Sequence, residues 1–134
     1  MSGHRVFVYG TLQPGFHNWQ RLLAGRVPRP WPAQIPGQLY DLPAGHPAVG
    51  EGEGWIRGYL LVLPNDALLA RVDALEGFDP SRPQRANRYQ RREVPCRTPT
   101  GAPLGRAYAY FMTPQRLAEE GAIPLAEGYW PPSA

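Results

Sequence analysis

The chain contains no lysine: all 14 of its basic side chains are arginine, set against 11 Asp and Glu, for a formal net charge of +3. A nucleic-acid binder clusters its cations, commonly with aromatic rings between them on which bases stack. The one dense stretch here, "SRPQRANRYQRREVPCR" (residues 81–97), carries Tyr89 but no such interleaving, so no nucleic-acid partner is expected. Together with 17 prolines and 15 glycines, the arginine-only skew suits a GC-rich genome rather than a function.

Cysteine is scarce as well. Cys96 stands alone, which excludes an internal disulfide and a zinc site built from thiolates, and it reads as a small strand or core residue. No apolar run approaches the roughly 20 residues needed to cross a bilayer. "MSGHRVFVYG" passes straight into a strand pattern, without the basic patch, apolar stretch and small-residue site of a secretory leader. A cytoplasmic protein with no membrane partner is the expectation. His4, His17 and His46 are scattered without metal-ligand spacing, "GTLQPG" lacks the Gly-Lys-Ser/Thr of a phosphate loop, and neither Gly-x-Ser-x-Gly nor His-Glu-x-x-His occurs. No metal and no cofactor is implied.

At 134 residues the chain is the size of one domain, 1–134, large enough to bury a real core. Residues 5–9, "RVFVY", set Val6 and Val8 against Phe7 and Tyr9 and predict a buried strand. Asn18 is expected to cap a short helix through Leu23, ending at Gly25. The proline-rich "RVPRPWPAQIP" reads as a connector. Residues 37–42 form a strand candidate, "AGHPAVGEGEG" a glycine-rich excursion, and "WIRGYLLVLP" a second strong strand. In "NDALLARVDALEG" the period changes: Leu68, Val72 and Leu75 lie at i, i+4 and i+7, Asn65 or Asp66 caps the start, and Gly77 supplies the stop. Strands follow around residues 89–96 and 105–112, then a short helix capped by Thr113 with Pro114 at its first position and Gly121 as its stop. The tail is expected to pack Tyr129 and Trp130 and then fray. Several strands with few helices, not in alternating order, argue for an α+β domain on a mixed or antiparallel sheet, curled into a small β-barrel with flanking short helices.

The chemistry concentrates at two places. In "VDALEGF", Glu76 sits at the C-terminal end of a helix, where the last carbonyls disfavour negative charge. On the solvent face that costs a few tenths of a kcal/mol and means nothing more. Buried, the same placement raises the pKa toward neutrality and makes a usable general base and acid. In "RVFVYGTLQPG", a strand stops abruptly at Gly10, releasing backbone N–H groups from the sheet ladder. Such groups bind a carboxylate or a developing oxyanion, although an ordinary turn has the same pattern.

Three stretches in order resemble the signatures of the gamma-glutamylcyclotransferase-like family, and most closely its small gamma-glutamylamine cyclotransferase branch. "VFVYGTLQPGFHN" is similar to the first, a strand ending in Tyr-Gly-Thr-Leu; "VDALEGF" to the second, Asp-x-x-Glu-Gly; and "YQRREV" to the third, Tyr-x-Arg-x-x-Val. The resemblance implies a small barrel that binds a small-molecule gamma-glutamyl substrate and cyclises it to 5-oxoproline with release of an amine. It places the catalytic glutamate on Glu76 and the substrate cradle on Tyr9, Gly10, Thr11 and Leu12. Tyr89 is expected to wall the pocket, and Arg91 to be an ion-pair partner or a structural support. The insert "DPSRPQRANR" is expected to reshape the pocket mouth. A non-catalytic ligand-binding or regulatory module on the same fold is the alternative.

Overall fold

The computed structural model describes residues 3–130. Its strands are β1 (His4–Val8), β2 (Trp31–Asp41), β3 (Pro47–Leu63), β4 (Gln90–Arg97), β5 (Pro103–Phe111) and β6 (Ile123–Pro124), with helices α1 (Asp66–Leu75) and α2 (Pro114–Glu119). They form a mixed six-stranded sheet in the order β3-β1-β5-β4-β2-β6. β1 lies antiparallel to β3, with Val6 opposite Leu61, and parallel to β5. A further pairing of β2 with β3 turns the sheet back on itself. The ring is joined thinly: β1 meets β5 at Val6↔Tyr108 and β2 meets β4 at Gln34↔Arg97. It is a strongly curled sheet rather than an evenly bonded barrel.

The alternation in β1 divides the core. Val6 and Val8 pack with Leu61, Leu63 and the α1 side chains Leu68, Leu69 and Val72. Phe7 and Tyr9 pack with Ile35, Leu39, Val49 and Ile56 on the opposite face. Both faces of β1 are therefore covered, which is why its sequence is apolar at every position from Val6 to Tyr9.

Four expectations are corrected. The proline-rich connector is in its second half a strand, since β2 begins at Trp31. Alternate residues of a strand direct their N–H groups to opposite neighbours, and Pro32 and Pro36 are an even number apart, so both lack a donor on the same side. Both still pair with β3, Pro32 with Tyr59 and Pro36 with Trp55, the register shifting only after Pro36, which assigns the missing donors to the side of β4, where β2 makes its single pairing. The glycine-rich excursion is the first half of β3. Its glycines serve close packing: a Cβ on Gly50 would lie 2.8 Å from the Leu117 side chain, and one on Gly52 2.9 Å from the Gln38 Cβ. Asn18 makes no capping hydrogen bond because it is itself helical, at φ −74°, and Trp19–Leu23 form a single π-helical turn. Leu75 is 36% exposed, and Leu69 takes its place on the buried face of α1.

The remaining caps stand where expected. The Asn65 side chain accepts from the Leu68 N–H at 2.9 Å, and Thr113 accepts from the Arg116 N–H at 3.3 Å. Cys96 is buried. Tyr129 and Trp130 pack as foreseen: Arg57 lies 4.3 Å from the Tyr129 ring centroid, and the Trp130 carbonyl accepts from Gln13. The fraying expected beyond them, at residues 131–134, falls outside the described residues.

Candidate active site

β1 and the turn after it, the turn between β2 and β3, the last turn of α1 and the start of β4 enclose a cavity of about 610 Å³. Tyr9, Gly10, Thr11, Leu12, Glu76 and Tyr89, the six residues singled out in the sequence, all line it.

Glu76 reaches the cavity because of how α1 ends. The Gly77 N–H bonds to the Ala74 carbonyl at 3.1 Å and the Phe78 N–H to the Asp73 carbonyl at 2.9 Å, the paired bonds of a Schellman cap, with Gly77 at φ +65°. Glu76 is the residue just before that left-handed glycine. Burial pushes its pKa up to about 7, and the nearby Arg88 cation offsets part of the rise. Its carboxylate makes no hydrogen bond or ion pair with any described residue. A protonation equilibrium near neutrality and an uncommitted carboxylate are the properties a proton shuttle needs.

Opposite chemistry comes from the turn after β1. Its internal bonds are donated by Gln13 to the Gly10 carbonyl (3.0 Å), by Phe16 to Gln13 (3.1 Å) and by Trp19 to Thr11 (3.1 Å). The N–H groups of Gly10, Thr11 and Leu12 donate to none of the described residues. Two side chains hold the turn: Asn18 donates to the Thr11 hydroxyl at 2.7 Å, and the buried Gln13 amide donates to the Tyr9 carbonyl at 2.9 Å. Asn18 is thus a brace for this turn, a role the sequence did not suggest.

Three tyrosines shape the walls. Tyr9 donates to the Tyr110 carbonyl (2.7 Å), Tyr89 to the Pro47 carbonyl (2.8 Å) and Tyr110 to Asp73 (2.6 Å). Burial raises the pKa of all three, and the Glu76 charge adds to the rise in each. They remain neutral, and their protons are spent on the scaffold. Asp73 also accepts from Arg91 at 2.5 Å, and Arg91 stacks over Tyr108 at 4.6 Å and Phe78 at 5.1 Å. Arg91 does not line the cavity; it ties β4 to α1, so it is both ion-pair partner and structural support.

His46, Arg88 and Tyr110 also line the cavity and were not singled out from the sequence. Burial, reinforced by Arg88, lowers the His46 pKa, so its imidazole is neutral at pH 7. Arg88 is the last residue of the insert between Glu76 and Tyr89, and of that insert it alone lines this cavity. Three other arginines of the dense stretch are engaged within the chain: Arg82 with Asn87, Arg92 with Glu51, and Arg97 with Gln34 and over Trp55. Among the described residues no cluster of His, Cys, Asp or Glu is arranged to hold a metal ion, and no helix is long and apolar enough to cross a membrane.

A curled mixed sheet with a glutamate capping its first long helix beside a Tyr-Gly-Thr-Leu turn is the arrangement of a recognisable class. The chain belongs to the gamma-glutamyl cyclotransferase, AIG2-like family, whose model matches residues 6–132. Solved structures agree on the fold. YkqA from Bacillus subtilis matches with a TM-score of 0.65 at 24% identity, over 96% of this chain and 39% of that one. An AIG2-like protein from Mus musculus matches with a TM-score of 0.60 at 19% identity, over 87% and 84%. The ytfP protein from Escherichia coli matches with a TM-score of 0.59 at 25% identity, over 95% and 96%. The chain thus spans well under half of YkqA and nearly all of ytfP. No curated protein matches it by sequence. Membership of the family suggests a cyclotransferase-type activity.

Proposed function

We propose that this pocket cyclises a gamma-glutamyl compound to 5-oxoproline and releases the amine. The observation that carries the reading is the uncommitted Glu76 carboxylate, with its pKa raised to about 7, in the same cavity as the unspent N–H groups of Gly10, Thr11 and Leu12.

The reaction balances without water. The substrate's α-ammonium gives a proton to ionised Glu76, and the freed amine attacks the γ-carbonyl carbon. A C–N bond forms, closing a five-membered ring, and the carbonyl oxygen takes up negative charge. As that oxygen returns its electron pair, the original amide C–N bond breaks, and the departing nitrogen collects the proton held by Glu76. The second proton lost by the ring nitrogen leaves the released amine as its ammonium form, so total charge is conserved.

Each residue group has a part in lowering the barrier. Holding the flexible chain folded, amine against carbonyl, is worth up to about 7–11 kcal/mol when orientation is ideal, and the tyrosine walls provide the shape. Proton transfer by a positioned carboxyl contributes roughly 10²–10⁴-fold. An N–H of the Gly10–Leu12 turn aimed at the oxyanion contributes about 10²–10³-fold.

The test is incubation with a panel of gamma-glutamyl amines and gamma-glutamyl dipeptides, with mass-spectrometric detection of 5-oxoproline. Release of 5-oxoproline and the free amine in equal amounts is expected from at least one of them. A panel that binds without turnover would return the pocket to a ligand-binding module.

A further inference from the structure

Gln90, the first residue of β4, is only 9% exposed, and half of its side-chain amide is unused. Its Nε2 donates to the Gln84 carbonyl at 2.8 Å and to the Asn87 carbonyl at 3.3 Å, while its Oε1 accepts from none of the described residues. Among those residues no side-chain nitrogen or oxygen is fully buried without a partner, so this oxygen is open to the groove that Gln90 lines. The groove, of about 660 Å³, runs between the 3₁₀ turn Gln84–Ala86, the start of β4 and the start of α2, and it shares no lining residue with the cavity of Glu76. An amide oxygen fixed in place by its own nitrogen and left open is a ready acceptor for a ligand N–H.

The groove carries charges of both signs. Arg85 is exposed and makes no hydrogen bond or ion pair with any described residue. Arg116 reaches Glu120 only at 3.5 Å, on a carboxylate that Arg88 already holds by two shorter bonds of 2.6 and 3.1 Å. Glu119 lines the same groove and accepts from the Gln115 amide at 3.3 Å. A simple anion there would meet Glu119 as well as the arginines, and a simple cation would meet the arginines as well as Glu119. A zwitterion answers both. No lining residue is aromatic or a large aliphatic, so the groove has neither the apolar anchor point of a protein interface nor a platform on which a base could stack.

We propose that this groove is a second ligand site, separate from the Glu76 cavity, that takes a free α-amino acid with a polar side chain. Arg85 and Arg116 receive its carboxylate, and the Gln90 Oε1 and Glu119 receive its ammonium group. Each end then makes charge-assisted hydrogen bonds, and the polar walls suit a polar side chain. Because the charges on both partners stay partly in water, each contact is worth little, and a dissociation constant on the order of millimolar is expected. Binding there needs nothing from Glu76 and stands whether or not the cavity cyclises its substrate.

The probe is L-glutamine, with L-glutaminamide, which lacks the carboxylate, and N-acetyl-L-glutamine, which lacks the ammonium group, as its partners. Each is titrated into the isotope-labelled protein while NMR follows the side-chain amide resonances of Gln90 and the backbone amides of Gly10, Thr11 and Leu12, with thermal unfolding as the folding check on variants. L-glutamine is expected to move the Gln90 resonances saturably, and each of the other two to bind at least about fivefold more weakly. Arg85→Gln should weaken L-glutamine by a similar factor. Glu119→Gln should weaken L-glutamine too, yet leave N-acetyl-L-glutamine unchanged or tighter, an outcome that a merely structural role for Glu119 would not give. Saturable movement confined to the Gly10–Leu12 amides would place the ligand in the Glu76 cavity and overturn the second site. An equal response to all three probes, affinity for L-glutamine unchanged in folded Arg85→Gln, or no saturable movement at Gln90 at about ten times the expected dissociation constant would overturn it as well.

Discussion

A glutamate whose folded pKa is about 7 rather than 4.5 holds a proton over a pH range in which the unfolded chain has already lost it. Below about pH 4.5 Glu76 is protonated in both states and costs nothing. As the pH rises from there toward 7 the unfolded state releases its proton first, so stability falls, and above 7 the loss is complete. The shift corresponds to at most about 3 kcal/mol, less to the extent that water in the pocket screens the charge. Glu76→Gln removes the titration. Urea unfolding should therefore find the variant more stable than the wild type by a wider margin at pH 8 than at pH 5, and a margin that does not grow with pH would contradict the burial of the carboxylate. The same ionisation governs activity with the opposite sign, because the base must be ionised to act. A plot of kcat/KM against pH should carry a rising limb with an apparent pKa near 7, and a limb at 4–5 would count against Glu76 as the base.

Among the elements, α1 decides where that carboxylate stands, and α1 is fastened by a side chain on its buried face. Asp73 receives both the Tyr110 hydroxyl from β5 and the Arg91 guanidinium from β4. Asp73→Ala leaves a mostly buried guanidinium without its carboxylate and a buried phenol without its acceptor, a loss of about 3–5 kcal/mol by analogy with broken buried ion pairs. Denaturant unfolding should show a lower midpoint at unchanged slope, and a loss below about 1 kcal/mol would mean that packing alone holds α1.

The elements also show what a sequence can and cannot convey. α1 was readable at both ends because its caps are local chemistry: Asn65 before the first turn and Gly77 after the last. β1 was readable because alternation is a property of neighbouring residues. The first halves of β2 and β3 were not, since proline and glycine usually interrupt strands. What admits them here is non-local: a thinly joined flank for Pro32 and Pro36, and the Leu117 and Gln38 side chains pressing on Gly50 and Gly52. The site divides in the same way. Glu76 and the Gly10 turn could be found from the anomaly of a charge on the wrong helix end and a strand that stops early. His46, Arg88 and Tyr110 carry no local anomaly, and only the folding of three separate turns and a strand against one another brings them to the cavity.

For the molecule as a whole, the curled sheet has a single functional consequence. By returning β3 to β1 on one side and to β2 on the other, it sets the end of β1, the turn before β3 and the end of α1 around one cavity, so that groups distant in sequence act on one small molecule. The central claim is that the carboxylate in this cavity moves the proton during cyclisation. The most direct test compares the rate of 5-oxoproline release by the wild type and by Glu76→Gln, on the best substrate of the panel, with circular dichroism and thermal unfolding to show that both proteins are folded. The account predicts a folded variant that still binds the substrate and has lost at least about 10²–10⁴-fold in rate. A folded Glu76→Gln protein that releases 5-oxoproline at the wild-type rate would contradict it.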